Sequence, residues 1–388
     1  MKKYFRKIHL VIGLATGLIF FLVSLSGALL SFTEEALTII NKKYLYVPEQ
    51  NLPRAKVEDV IANYEKAYPK ENIFLMNTYT QKNRTYDFFS AVKSGKKDDK
   101  GNDIFEGYKM VYANPYTSEI IRIDKGTLET IVILVQLHVN LMAGSIGNNI
   151  IKISTIIFLI QLIAGIYLWW PRTQNAKRTA FKIKKDGSKK RFNYDLHRTL
   201  GFYTSAVLLV LTITGLIMAW PFLKGPLVNS LGGKSELLKQ EAPPQPPRQY
   251  GKPDYSYNAI FDKLRAERPD AQQFTFFLPE SDTITVINGN TGLRPSFLNF
   301  ETGNYFQFNR YDGQPTGGAE LKYYRKNAEV SAGLLLIHMG FWGGIATKIL
   351  TFICGMIGAS LPITGLMIWR GRRKKKKVEN RTLIVDRI

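Results

Sequence analysis

The chain contains four histidines, His9, His138, His197 and His338. Imidazole is the side chain that ligates metals and moves protons most readily near neutral pH, so their placement sets the chemistry open to this protein. None of the four stands in a polar loop. "HLVIGLATGLIFFLVSLSGALLSF" begins at His9 and "HRTLGFYTSAVLLVLTITGLIMAW" begins at His197. Gly13 and Gly201 each follow four residues after the histidine, and Ser26-Gly27 and Thr214-Gly215 fall at matching places near the far ends. The other two histidines also correspond. "LVQLHVN" around His138 aligns with "LLLIHMG" around His338 at an offset of 200, which carries Gly144 onto Gly344, Gly165 onto Gly365 and Trp169 onto Trp369.

These positions sit on apolar runs of the length that a spanning helix needs, about 20 residues. The sequence divides into a basic N-terminus with the first span (1–32), a long polar segment ending in an apolar surface helix (33–148) and the second span (149–171). A basic loop (172–196) and the third span (197–221) follow. The second long segment with its surface helix (222–344), the fourth span (345–370) and a basic tail (371–388) complete the chain. Each half reads as span, polar domain, surface helix, span, in the same direction, so the chain is a tandem parallel repeat. In each polar segment a helix (55–67 and 256–267) precedes alternating strand-like stretches such as "TYDFFSAVKSG" and "DTITVINGN", which predicts one small α+β domain per segment. The fold class is a four-helix transmembrane bundle with two α+β domains on one side.

Charge orients the bundle. The formal net charge is +22, and residues 172–198 carry ten Lys/Arg against Asp186 and Asp195. The tail "RGRRKKKK" is a second basic block, and Lys2, Lys3, Arg6 and Lys7 make a third. The positive-inside rule puts both termini and the central loop in the cytoplasm and both long segments outside. Basic blocks at membrane ends fit anionic lipid better than nucleic acid, which is excluded as a partner. Trp169, Trp170 and Trp369 at inner ends, with Trp220 and Trp342 at outer ends, read as an interfacial belt. The first run exceeds the ~7–15 residues of a signal h-region and has an internal copy, so it is a span rather than a cleaved leader. The single cysteine, Cys354, excludes a disulfide.

On this topology His9 and His197 meet at the cytoplasmic face, and His138 and His338 at the other. Two imidazoles brought from different elements are what a low-spin haem iron takes as axial ligands. Zinc is a rival, but two histidines without cysteine or a nearby acid leave a zinc site incomplete. A proton relay is another, though no Asp, Glu or Lys lies in the middle of a span to continue it. Space for a macrocycle is expected at Gly13, Gly17, Gly201, Ala143, Gly144, Gly340, Gly343 and Gly344. Arg6, Lys7 and Arg198, and on the other face Asn140, Asn148 and Lys348, are the available propionate partners. Ser26-Gly27, Thr214-Gly215, Ala164-Gly165 and Thr364-Gly365 are assigned to helix packing. No dinucleotide fingerprint or Walker loop is present, so any electron donor is a separate protein or a lipid-soluble quinol.

"RKIHLVIGLATGLIFFLVSLSGALLSF", "LHVNLMAG", "HMGFWGG", "AGIYLWWPR", "NYDLHRTLGFY" and "TGLMIWRGRR" together resemble the PepSY-associated transmembrane helix proteins, a group that includes inner-membrane ferric-siderophore reductases. "VIANYEKAYP" and "NPYTSE" are similar to PepSY elements. The resemblance covers nearly the full chain. It implies two extracytoplasmic PepSY-like domains, two b-type haems and placement in the bacterial inner (plasma) membrane. It also implies an oxidoreductase that passes electrons from the inner side to a ferric siderophore or other ferric chelate for iron uptake. By position, His9 and His197 would ligate the inner haem iron, and His138 and His338 the outer one. PepSY elements also occur in peptidase propeptides. The competing expectation is therefore a non-redox, membrane-anchored regulatory protein acting on an extracytoplasmic peptidase.

Overall fold

The computed structural model describes residues 2–97, 103–184, 188–239, 245–279, 283–297 and 305–385, with 239 and 374–385 as backbone only. The chain divides into two units. One comprises Met1–Ser31, Leu134–Trp220 and Ile337–Ile388, and the other Phe32–Ile133 and Pro221–Leu336.

The helices in chain order are α1 (Lys2–Leu30), α2 (Thr33–Asn41), α3 (Val57–Ala67), α4 (Thr127–Asn140), α5 (Gly144–Trp169), α6 (Gln174–Ala180), α7 (Lys189–Ala219), α8 (Pro221–Ser230), α9 (Tyr257–Glu267), α10 (Leu321–Met339) and α11 (Gly344–Val385). Four of them, α1, α5, α7 and the part of α11 up to Arg373, are long and apolar enough to cross a membrane. In the first unit these four close a ring in which α1 packs on α5 and α11, and α7 packs on the same two. The α1 and α7 helices therefore stand on a diagonal. Large aliphatic side chains point outward from the ring, among them Leu18, Ile153, Ile213 and Ile363, as a lipid-facing surface requires. Helix association in lipid rests on close packing rather than on a hydrophobic drive. A Cβ on Gly355 would come within 2.9 Å of the Ala28 Cβ, and one on Gly17 within 3.3 Å of the Pro362 Cβ.

Two of the shorter helices end where the histidines need them to. α10 stops at Gly340, which takes φ +78° in the left-handed region that closes helices. α4 stops without a glycine, and Leu141 and Met142 adopt φ +53° and +57°, a conformation that is unfavourable for side chains of their size. His138 and His338 thus each sit within one turn of a helix terminus.

The second unit is built on one antiparallel sheet with strand order β4-β3-β2-β1-β5-β6-β7. The strands are β1 (Glu71–Tyr79), β2 (Tyr86–Lys97), β3 (Asp103–Ala113), β4 (Ile120–Asp124), β5 (Gln273–Phe277), β6 (Val286–Gly292) and β7 (Tyr305–Asn309). This corrects the expectation of one separate α+β domain per polar segment. β1 and β5, from different segments, pair antiparallel from Leu75–Phe277 to Tyr79–Gln273. A sheet of three or four strands has two open edges, and here the two sets of strands cover one edge each. The expected helices are present as α3 and α9. Their Val57, Val60, Tyr64, Ile260, Phe261 and Leu264 join Met76, Phe88, Phe274, Phe276 and Phe306 in a single apolar core on one face of the sheet. Ser256 caps α9 by accepting a hydrogen bond from the Ala259 amide.

Candidate functional site

The helical unit brings the four histidines together in two pairs. The ring centres of His9 and His197 lie 6.3 Å apart, and those of His138 and His338 lie 6.0 Å apart. Imidazole nitrogen binds a transition metal at ~2.0–2.1 Å, and the ring centre lies about 1 Å further out. Two imidazoles on opposite sides of one metal ion therefore have centres roughly 6 Å apart. Among the described residues no group of three or more His, Cys, Asp or Glu side chains could hold a metal ion. The donor set at each place is two imidazoles from different helices, which suits a metal whose remaining ligands arrive with it.

Each ring lies against a small residue of a neighbouring helix. His9 lies against Gly165 of α5, His197 against Gly365 of α11, His138 against Gly27 of α1 and His338 against Gly215 of α7. A Cβ on these glycines would fall 3.4, 3.4, 2.7 and 3.2 Å from the Cε1 of the histidine concerned. The residue before each glycine faces the same ring. His197 Nδ1 is 2.9 Å from Thr364 Oγ1 and His338 Nδ1 is 2.9 Å from Thr214 Oγ1. His138 Nδ1 donates to the Val23 carbonyl at 2.9 Å, with Ser26 Oγ at 3.4 Å. At the fourth place the residue is Ala164. His9 Nδ1 points at the Gln161 backbone without a hydrogen bond of good geometry.

The roles expected of the glycines are therefore exchanged. The four small pairs assigned to helix packing seat the imidazoles. Several glycines expected to make room for a macrocycle meet the chain's own side chains instead. A Cβ on Gly13 would lie 2.7 Å from Gln161 Nε2, one on Gly201 3.5 Å from Leu361 Cδ2, and one on Gly340 2.4 Å from Thr351 Oγ1. The polar residues named as propionate partners are largely engaged. Arg198 donates to the Thr179 carbonyl, Asn148 to the Val139 carbonyl and Asn140 to Gln136 Oε1. Lys348 is buried with its ammonium 3.9 Å from the Phe341 ring centre. Trp169 is a core residue rather than a belt residue, stacked on Phe202 with ring centres 3.4 Å apart.

The two pairs lie far apart along the helices. His9 and Gly27, the seat of His138, are 18 positions apart on α1, as are His197 and Gly215 on α7. At 1.5 Å per residue this is about 27 Å, close to the ~30 Å hydrocarbon thickness of a bilayer.

The sheet carries a feature that sequence reasoning missed. On the face opposite α3 and α9, strand pairing aligns Tyr112, Asp87, Asn77, Thr275, Asn290 and Tyr305 in one row. Asn77 donates to Asp87 Oδ1 and accepts from Thr275 Oγ1 and Gln273 Nε2, and Tyr79 OH donates to Asp87 Oδ2. Burial pushes the Asp87 carboxyl up to about 6, against the pull of Arg84 at 3.7 Å. The signal for it is "QFTF", where every second residue is polar although all four are buried. A cleft of about 480 Å³, lined by Arg54, Lys82, Tyr86, Phe261 and Arg265 among others, lies in the same unit.

No curated protein matches the chain in sequence. The family profile described as the PepSY-associated TM region matches residues 6–372, a stretch that includes all four histidines, all four apolar helices up to Arg372 and the whole sheet. The protein is thus a membrane protein, and it belongs to the PepSY-associated TM family.

Proposed function

We propose that this protein is a transmembrane electron carrier that holds two b-type haems and reduces a ferric chelate, most simply a ferric siderophore, on the extracytoplasmic side of a bacterial inner membrane. The observation that carries this reading is the double pairing of histidines. Ring centres stand 6.0 and 6.3 Å apart at two places about 27 Å distant along α1 and α7. Haem bound there would supply reversible one-electron chemistry at low potential, which amino-acid side chains do not. His9 and His197 would hold one iron, and His138 and His338 the other. Metal-ligating histidines almost always donate their second ring N–H to a fixed acceptor; His138 has one in the Val23 carbonyl, and His197 and His338 each have a threonine hydroxyl at 2.9 Å.

On this reading the chain is a tandem repeat with both termini in the cytoplasm. The basic segments 172–198 and 370–377 face anionic lipid there. Reducing equivalents enter at His9 and His197 from a quinol or a separate donor. The His138 and His338 end delivers them to Fe(III), and one electron per metal gives Fe(II), which the chelator holds less tightly. The fused sheet is the PepSY part and lies on the side of the acceptor.

The test is an absorption spectrum of the purified protein, oxidised and dithionite-reduced, with haem counted per chain. The expected result is low-spin b-type bands at two haems per chain and reoxidation of the reduced protein by a ferric siderophore. A chain that stays colourless after haem-replete expression refutes the redox reading. The regulatory alternative, with a peptidase bound through the sheet unit, would then stand in its place.

A further inference from the structure

One of the four imidazole seats lacks the hydroxyl that the other three carry, and we infer that this difference tunes the two metal ligands of the His9/His197 pair apart. The inference rests on the haem reading above and concerns Ala164, Ser26, Thr214 and Thr364 as positioning residues.

A hydroxyl has one proton to donate. Thr364 Oγ1 lies 3.1 and 3.0 Å from the Ser360 and Leu361 carbonyls of its own helix, and Thr214 Oγ1 lies 2.8 and 3.1 Å from those of Val210 and Leu211. Ser26 Oγ is likewise 2.7 Å from the Leu22 carbonyl. A carbonyl only accepts, so each hydroxyl spends its proton on its own helix and turns a lone pair toward the histidine. The imidazole facing it must then be the donor. This fixes His197 and His338 with the proton on Nδ1, and the Val23 carbonyl does the same for His138. Nε2 is left with its lone pair, the form in which a neutral imidazole ligates.

His9 lacks the hydroxyl. Ala164 stands in its place, and the acceptor that Nδ1 of His9 faces is the Gln161 carbonyl, without a hydrogen bond of good geometry. An accepted Nδ1 proton makes imidazole a more basic donor, which favours ferric over ferrous iron. His9 is therefore the weaker donor of its pair, and its pair is the one whose potential a single hydroxyl can lower. The glycine beside Ala164 keeps the ring at the same distance as Gly365 keeps His197, 3.4 Å for a Cβ, so the two seats differ in polarity and not in room.

The experiment is a spectroelectrochemical titration of the purified, haem-loaded full chain, with haem per chain and low-temperature EPR recorded on each variant. Ala164→Ser should raise the ferric-to-ferrous ratio of one haem at a fixed potential by about fivefold, the worth of one hydrogen bond. Thr364→Ala should shift the same haem in the opposite direction, and Thr364→Ser should restore the original value. Thr214→Ala should move the other haem alone. If Thr364→Ala does not fold, Ala164→Ser and Thr214→Ala decide the matter. Haem present at two per chain with all ratios within twofold of the parent overturns this inference and leaves the electron-carrier reading intact. A chain that purifies without haem overturns both.

Discussion

A Cβ on Gly27 would lie 2.7 Å from Cε1 of His138, closer than real Cβ atoms approach a neighbour. The contact is with a rigid ring whose Nδ1 is tied to Val23, so the ring cannot yield as a flexible side chain would. On the haem reading, Gly27→Ala should push His138 off its acceptor and lower haem content from two to one per chain. Gly365→Ala, with 3.4 Å available at His197, should keep both. Equal haem content in the two variants would show that the rings are not seated as described.

The separation of the pairs yields a second expectation. On the same reading His338→Ala and His9→Ala each remove one proposed ligand from one end, and about 27 Å of helix divides the ends. Each variant should lose a single haem and keep the spectrum of the other, while the double variant His9→Ala/His338→Ala should lose both. Loss of both haems from either single variant, in protein that still elutes as a folded species, would argue for one shared site.

Much of this arrangement is legible in the sequence. The four apolar runs approach or exceed the length of a bilayer span, and α3 and α9 lie within two residues of the predicted 55–67 and 256–267. The histidines stand out because the chain has only four and all lie at matching places of the two halves. What stays hidden depends on which residue sits opposite which. A glycine on an apolar helix reads the same whether it meets a helix or an imidazole, so Gly27 and Gly13 exchange their expected roles. The β1–β5 pairing joins Asn77 to Thr275, 198 positions away in the chain. No local periodicity records a contact of that range, and two separate domains are the natural reading without it.

Gln273 makes the sheet's polar row a fastening for another segment. Its Oε1 accepts from the Ser296 amide at 2.6 Å and its Nε2 donates to the Ser296 carbonyl at 2.7 Å. Glu34 adds bonds to Ser296 Oγ at 2.8 Å and to the Phe297 amide at 3.1 Å. Gln273→Ala removes two bonds to the partly buried Ser296 backbone, at a cost of about 0.5–1.5 kcal/mol each. Amide exchange at Ser296 should accelerate at least tenfold, while that of β3, three strands from β5, should not change. Unaltered exchange at Ser296 would mean that Glu34, with Asn77 donating to the Phe297 carbonyl at 3.3 Å, holds the segment without Gln273.

Asp87 gives the sheet unit a signed pH dependence. Its carboxyl titrates at about 6 in the folded protein against 3.8 ordinarily, because burial disfavours the charged form. The folded state therefore holds a proton that the unfolded chain has lost between these values. This contribution is fully present below pH 3.8 and is lost as pH rises through about 6. The gap between the two titrations is worth about 3 kcal/mol at most. Between pH 4 and 6.5, then, opening of β1 and β2 should become easier as pH rises, as read by amide exchange corrected for its intrinsic pH dependence. Asp87→Asn keeps an acceptor for Tyr79 OH and has nothing to titrate, so its profile over the same range should be flat. A parent protein with a flat profile would show that Arg84, 3.7 Å away, holds Asp87 ionised throughout. An equally steep slope in the variant would assign the dependence to another group.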